Sequence, residues 1–262
     1  MPLNWTTVSE VITRAEVGGV TIGVAALAPA GEPFAYHGSR RFVAASTVKI
    51  AIMVELFRRI DAGRITLEQR HILREDEKAG GSGVVSNLHT GIEMTIRDLV
   101  YLMMSVSDNS STNILIDALG IEAINATMCD IGMQHSTLGR KMRGRHLVAS
   151  EAENWAVPED YVTVIKSILD GHAASSESCA QMVALLEKQQ NDRRIARHLP
   201  QTNRPRWGTK TGSLPGVVND VGFIMTGRGP LILAVFCEGL TDGPTGEQIV
   251  GDIAKAALDL VS

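Results

Sequence analysis

Residues 46–63 read STVKIAIMVELFRRIDAG, and this stretch decides the fold. After Lys49 the residues are apolar on nearly every side of a helical projection up to Phe57. A helix of that kind belongs in the middle of a protein, with other elements packed around it. Gly63 supplies the residue that ends it. The helix opens on Ser46-Thr47-Val48-Lys49, an S-x-x-K tetrad. Residues three apart share a helix face, so Ser46 and Lys49 can meet. A serine hydroxyl is a weak nucleophile at neutral pH and needs a base within hydrogen-bond reach. The positive N-terminal end of a helix also favours an anion developing at the serine. Taken alone the tetrad is a weak signal, because it recurs by chance.

Working outward, residues 4–17 carry apolar positions at helical spacing, at Val8, Val11, Ile12 and Ala15. Thr21–Leu27 reads as a strand, with Phe34–His37 as its partner across a turn at Gly31. Residues 66–95 are polar and rich in glycine, including Gly80-Gly81-Ser82-Gly83. Thr95-x-x-Asp98 resembles a capping box ahead of Leu99–Met104. Helices are predicted over Ser111–Leu119, Ile121–Ile131, Pro158–Leu169 and Ser178–Gln189, and 135–157 reads as one long loop. Loops of that length are often functional. Three strands follow, at Arg206–Thr211, Asn219–Thr226 and Leu231–Cys237, then a closing helix over Glu247–Val261. The predicted class is α/β of the α+β sandwich type. An antiparallel sheet drawn from both ends of the chain is packed by helices and joined to an all-helical part. The expected division is 1–45 with 190–262 as the α/β subdomain and 46–189 as the mostly helical one.

Composition narrows the function. The chain has 262 residues and a formal charge of −4 with no long basic run, so nucleic-acid binding has no electrostatic support. No run of apolar residues is long enough to span a membrane. The first residues lack a basic segment followed by an apolar one, which predicts a soluble chain, cytoplasmic as it stands or exported after loss of a leader. Cys129, Cys179 and Cys237, like the seven histidines (among them His135, His146 and His172), lack metal-ligand spacing, so neither a metal nor another cofactor is expected. Lys188, Arg193, Arg194 and Arg197 read as a solvated helix face.

Two further motifs lift the tetrad above chance. Ser107-Asp108-Asn109 falls in a turn between predicted helices, and Lys210-Thr211-Gly212 ends a predicted strand. In this order, 61 and then 103 residues apart, S-x-x-K, S-D-N and K-T-G resemble the class A β-lactamases and penicillin-binding proteins. The resemblance covers essentially the whole chain and implies a β-lactamase/transpeptidase-like fold with its site between the two parts. It implies Ser46 as nucleophile, Lys49 as the base that takes its proton, and Ser107 as the acid serving the leaving nitrogen. Asn109 would hold Lys49 and the substrate amide. Lys210 and Thr211 would receive a substrate carboxylate, with Gly212 beside them as part of the substrate-binding set. The N–H groups of Ser46 and Ser213 would hold the oxyanion.

The implied partner is a small β-lactam, amide or ester. The alternatives are a related amidase, esterase or peptidase, or a penicillin-binding protein that is acylated and released slowly.

The pattern also breaks. The family's loop carries E-x-x-x-N, whose Glu activates the water that frees the acyl group. Counting without gaps from Ser107, that Glu falls at Arg143, and arginine stays protonated and cannot act as a base. Glu151 and Glu153 lie later in the loop and are the candidates for a displaced deacylation base. Glu153 and Asn154 also stand where the family closes its loop. Nine residues past Lys210, where many relatives have a carboxylate-binding Arg, the chain has Asn219.

Overall fold

The computed structural model describes residues 3–261. In chain order the elements begin with α1 (Thr6–Ala15), β1 (Thr21–Leu27), β2 (Pro33–Tyr36) and β3 (Phe42–Val43). A 3-10 turn over Ala45–Val48 leads into α2 (Lys49–Asp61), followed by β4 (Arg70–Ile72), β5 (Glu93–Thr95), α3 (Ile96–Ser105), α4 (Asn109–Leu119) and α5 (Ile121–Asp130). Then come β6 (Trp155–Ala156), α6 (Pro158–Leu169), α7 (Ser176–Leu186), β7 (Trp207–Leu214), β8 (Val217–Thr226), β9 (Gly229–Glu238) and α8 (Gly243–Val261). Five strands form one antiparallel sheet in the order β2-β1-β9-β8-β7. The sheet therefore does join the two ends of the chain. Among the described residues no helix is long and apolar enough to cross a membrane.

The helix predicted from residues 46–63 is buried as its pattern demands: every residue from Lys49 to Phe57 is buried. It starts later than expected, because Ser46 sits in the 3-10 turn and the α-helix begins at Lys49. The capping box is present, with Thr95 accepting from Asp98 N and Asp98 accepting from Thr95 N. Lys188, Arg193 and Arg197 are exposed as expected, but the helix predicted to carry them is not formed. The chain leaves α7 at Leu186 and runs irregularly to β7, and within that segment Arg194 is buried. Four short strands escaped the sequence pattern. β4 pairs with β5 inside the polar stretch, and β3 pairs with β6 at the end of the long loop.

That last pair positions the site. Phe42 is fully buried, stacks on Phe236 at 5.9 Å between ring centroids, and leads straight into Ala44 and Ser46. The ring lies over Gly23, where an added Cβ would stand 2.2 Å from it. Ala44 N donates to Asn154 O at 2.8 Å, so the chain entering the tetrad is sewn to the end of the loop. Removing a buried aromatic side chain costs about 3–5 kcal/mol. Phe42→Ala should lower unfolding free energy by about that much in urea titration. A loss under about 1 kcal/mol would show that Phe42 is not the anchor of this region.

Candidate active site

Two backbone kinks present the serines. Ala45, just before Ser46, has φ 48°, and Ser107 itself has φ 59°. Non-glycine residues in this region carry strain of order 1–3 kcal/mol, retained where the surroundings over-determine it. At Ser107 those surroundings centre on Asp108, which is buried. Its Oδ1 accepts from Ser111 N at 2.8 Å and caps α4, and its Oδ2 accepts from Val84 N at 2.6 Å and Val85 N at 2.8 Å. The S-D-N turn and the 80–85 segment are thus one unit. Gly83 packs so closely on Asp108 that a Cβ would stand 2.1 Å from Oδ2.

The three motifs converge. Lys49, fully buried, directs Nζ to Ser107 O at 2.7 Å, Asn109 Oδ1 at 2.9 Å and Ser107 Oγ at 3.1 Å. Lys210, also fully buried, directs Nζ to Thr211 O at 2.9 Å and to the same Ser107 Oγ at 3.1 Å. One hydroxyl lies between two buried lysines. Burial holds the Lys49 amine well below the usual lysine range, Lys210 pushes it further down, and Asp108 opposes both. Burial also brings Lys210 down to about 7, against the pull of Asp220 and with the push of Arg194. Asp220, buried in turn, is raised to about 6 by desolvation, with Arg194 opposing. Ser46 is half-buried, and its hydroxyl holds no hydrogen bond among the described residues. The direct Ser46–Lys49 contact that the tetrad suggested is therefore not formed in the unliganded chain. Catalytic hydrogen bonds commonly tighten only when substrate is bound.

β7 is the edge strand of the sheet. The carbonyls of Thr209 and Thr211 face its open side, where Gln189 Nε2 and Lys210 Nζ meet them. Residues two apart on a strand present their N–H and C=O the same way, so Ser213 N–H faces that side too. Gly212 lies against the tetrad, where a Cβ would stand 2.9 Å from Ala44 O and 3.2 Å from Ser46 N. Only glycine lets the strand come this close.

Arg194 was missed in the sequence. It donates from Nη1 to Gly212 O at 2.9 Å and Asn219 O at 2.7 Å, and from Nη2 to Ser213 Oγ at 2.6 Å. Its Nε lies 3.5 Å from Glu247. A guanidinium thus reaches the K-T-G strand from the segment before β7. Asn219 does something else there: its Nδ2 donates to Val43 O at 2.9 Å and to Ala44 O at 3.3 Å, which steadies the approach to Ser46. The sequence carried one signal of all this, the polar pair Asn219-Asp220 inside an otherwise apolar strand.

The long loop forms the opposite wall. Asn154 Oδ1 accepts from Gly139 N at 2.8 Å and Arg140 N at 2.9 Å, and Glu153 Oε1 accepts from Asn154 N at 2.8 Å and Arg140 Nη2 at 3.3 Å. Both residues bond back to the start of the loop. A cavity of about 250 Å³ lies between this wall and the tetrad, lined by Ser46, Gly81, Asn109, Arg143, Glu153 and Ser213 among others. Glu153 is the one carboxylate on its lining. Glu151 is not on it. Its carboxylate takes two 2.8 Å bonds from Arg145, which hold it down at about 2. A carboxylate that acidic is a weak base. His146 Nε2 lies 2.7 Å from Pro215 O in the β7–β8 turn, tying the loop to a residue on the cavity lining. Among the described residues no cluster of His, Cys, Asp or Glu is placed to hold a metal ion.

Known proteins with this arrangement are close at hand. The family model described as "Beta-lactamase enzyme family" matches residues 5–261. The crystal structure of a β-lactamase from Sphaerobacter thermophilus is 51% identical, with TM-score 0.96 over 99% of this chain and 97% of that one. The ancestral Gram-negative class A β-lactamase is 27% identical, with TM-score 0.87 over 97% of this chain and 98% of that one. β-Lactamase BRO-1 of Moraxella catarrhalis is 26% identical over 195 residues, 73% of this chain. The match spans 62% of that relative's length. A five-stranded antiparallel sheet, three converging motifs and a family match over nearly every residue agree, and the chain belongs to the β-lactamase enzyme family of class A β-lactamases and penicillin-binding proteins, as a serine β-lactamase-like hydrolase.

Proposed function

We propose that this chain opens β-lactam rings through an acyl-enzyme on Ser46. The observation that carries the reading is the hydroxyl of Ser107, 3.1 Å from both Lys49 Nζ and Lys210 Nζ. With Lys210 charged and Lys49 neutral, Lys210 donates to Ser107 Oγ and Ser107 donates to the Lys49 amine. Lys49 then takes the proton of Ser46 Oγ as that oxygen attacks the lactam carbonyl. The tetrahedral oxyanion sits between the N–H groups of Ser46 and Ser213, each such donor supplying roughly 3–4 kcal/mol. Collapse breaks the C–N bond. Ser107 gives its proton to the leaving nitrogen and is reprotonated from Lys49. Asn109 keeps Lys49 oriented, and Lys210, Thr211, Gly212 and Ser213, with Arg194 behind them, receive the substrate carboxylate.

Release needs a water and a base. Glu153 supports that role as the only carboxylate lining the cavity, with Oε1 tied to the loop. The same oxygen is engaged by Arg140 Nη2 at 3.3 Å, so the carboxylate is partly occupied in holding the loop. Release is accordingly the slower half of the cycle, and a penicillin acyl-enzyme should accumulate during turnover.

Three results follow from this mechanism. Intact mass after addition of a penicillin should rise by the mass of the drug, and Ser46→Ala should abolish the rise. A mass gain surviving in Ser46→Ala moves the nucleophile elsewhere. Glu153→Gln should slow loss of the acyl group by roughly 100-fold while leaving its formation nearly unchanged. An unaltered release rate removes Glu153 from the chemistry. The acylation efficiency should follow a bell in pH. It rises as Lys49 deprotonates through its depressed pKa, and falls as Lys210 loses its charge near pH 7. A profile still climbing above about pH 8 would contradict the assignment of Lys210.

A further inference from the structure

The cavity beside Ser46 has a wall of mostly one sign. Arg140, Lys141, Arg143 and Arg145 line it, against Glu153 alone. Arg140 is engaged by Glu153 and Arg145 O, Lys141 by Asp117, and Arg145 by Glu151. Neither Asp117 nor Glu151 is on this cavity's lining. Arg143 differs from its neighbours. Its side chain is 57% exposed, and its only ion pair among the described residues runs from Nε to Glu151 at 3.4 Å.

The backbone that carries Arg143 is pinned on both sides. Met142 N donates to Asn113 Oδ1 at 2.8 Å, and Met142 O accepts from Asn113 Nδ2 at 3.0 Å. Gly144 crosses Gly81 so closely that a Cβ on Gly144 would stand 2.8 Å from Gly81 Cα. The backbone position is fixed while the guanidinium stays open, and its planar fork suits a planar anion. Arg143 also borders the next cavity outward, of about 460 Å³, whose lining is of mixed charge, with Arg74, Lys78, Lys141 and Arg145 beside Asp76, Glu77 and Asp117. That cavity leaves room for a substrate chain extending from the acyl side.

We infer that Arg143 selects substrates whose acyl side chain bears a carboxylate, in addition to the carboxylate received at Lys210. The inference rests on the acyl-enzyme reading above and names its substrate class. Where an uncharged acyl group leaves Arg143 in solvent, an anionic one gains a two-point hydrogen-bonded partner. The pair is partly exposed, so the gain is modest, roughly three- to fivefold, and shrinks with added salt.

Benzylpenicillin and carbenicillin differ only by a carboxylate on the acyl side chain, which makes them the test. The native chain should be acylated by carbenicillin roughly three- to fivefold more efficiently. Arg143→Gln should erase the preference and Arg143→Glu reverse it, both leaving benzylpenicillin acylation within about twofold of native. Equal efficiencies in the native chain, or a preference that survives Arg143→Gln, would overturn the assignment. Failure of both penicillins to acylate the native chain would overturn the acyl-enzyme reading itself, and the role of Arg143 with it.

Discussion

Two buried amines sharing one hydroxyl set the terms for the rest of this structure. Lys49 and Lys210 are both fully buried, and each points Nζ at Ser107 Oγ. Two ammonium groups that close, out of water, repel strongly, and desolvating each costs several kcal/mol. The chain meets this in two ways. Burial and mutual repulsion push the Lys49 amine toward neutrality, which is the state a base requires. Asp220 and Asp108 supply the compensating negative charge, one on the strand beside β7 and one capping α4. The same carboxylates hold the backbone: Asp108 fixes the 84–85 segment, and Asp220 accepts from Ile195 N at 3.1 Å next to Arg194. Electrostatics and architecture are thus carried by the same side chains.

The loop wall follows a different logic. Its closing bonds run from Glu153 and Asn154 back to residues 139–140, and Asn154 O also holds Ala44. The wall and the turn that carries Ser46 are therefore joined directly by a backbone hydrogen bond. Geometry of this kind suits acylation, where Ser46 must be aimed. It suits release less well, because Glu153, the cavity's one carboxylate, is spent partly on the loop. The excess of arginine on that wall gives the cavity beside Ser46 a largely positive face.

Much of this was legible in the sequence. The unbroken apolar run after Lys49 gave a central helix, and the three motifs in order gave four converging side chains. Both signals are local: a helix period and short motifs survive without knowledge of the fold. What escaped depends on contacts across the chain. β3 and β6 are two residues each, too short to show a period, and exist because Phe42 is held over Gly23 and Ala44 is bonded to Asn154. Arg194 sits in an irregular segment and looked like one of several surface charges, until β7 and β8 placed Gly212 O, Asn219 O and Ser213 Oγ around it. Glu151 and Glu153 were equivalent candidates by spacing. The fold separates them: Arg145 folds back onto Glu151, which is off the cavity lining, while Glu153 is on it.

Acylation as proposed requires a Lys49 amine held well below the usual lysine range. The most direct measurement is the titration of the Lys49 side-chain carbon next to Nζ by NMR, in protein carrying carbon-13 lysine. The Lys49 signal is assigned by its loss in Lys49→Met. The account predicts a midpoint well below the ordinary lysine value of about 10.4. A midpoint at that ordinary value would mean that Lys49 rests as an ammonium, and the proton from Ser46 would have no acceptor here.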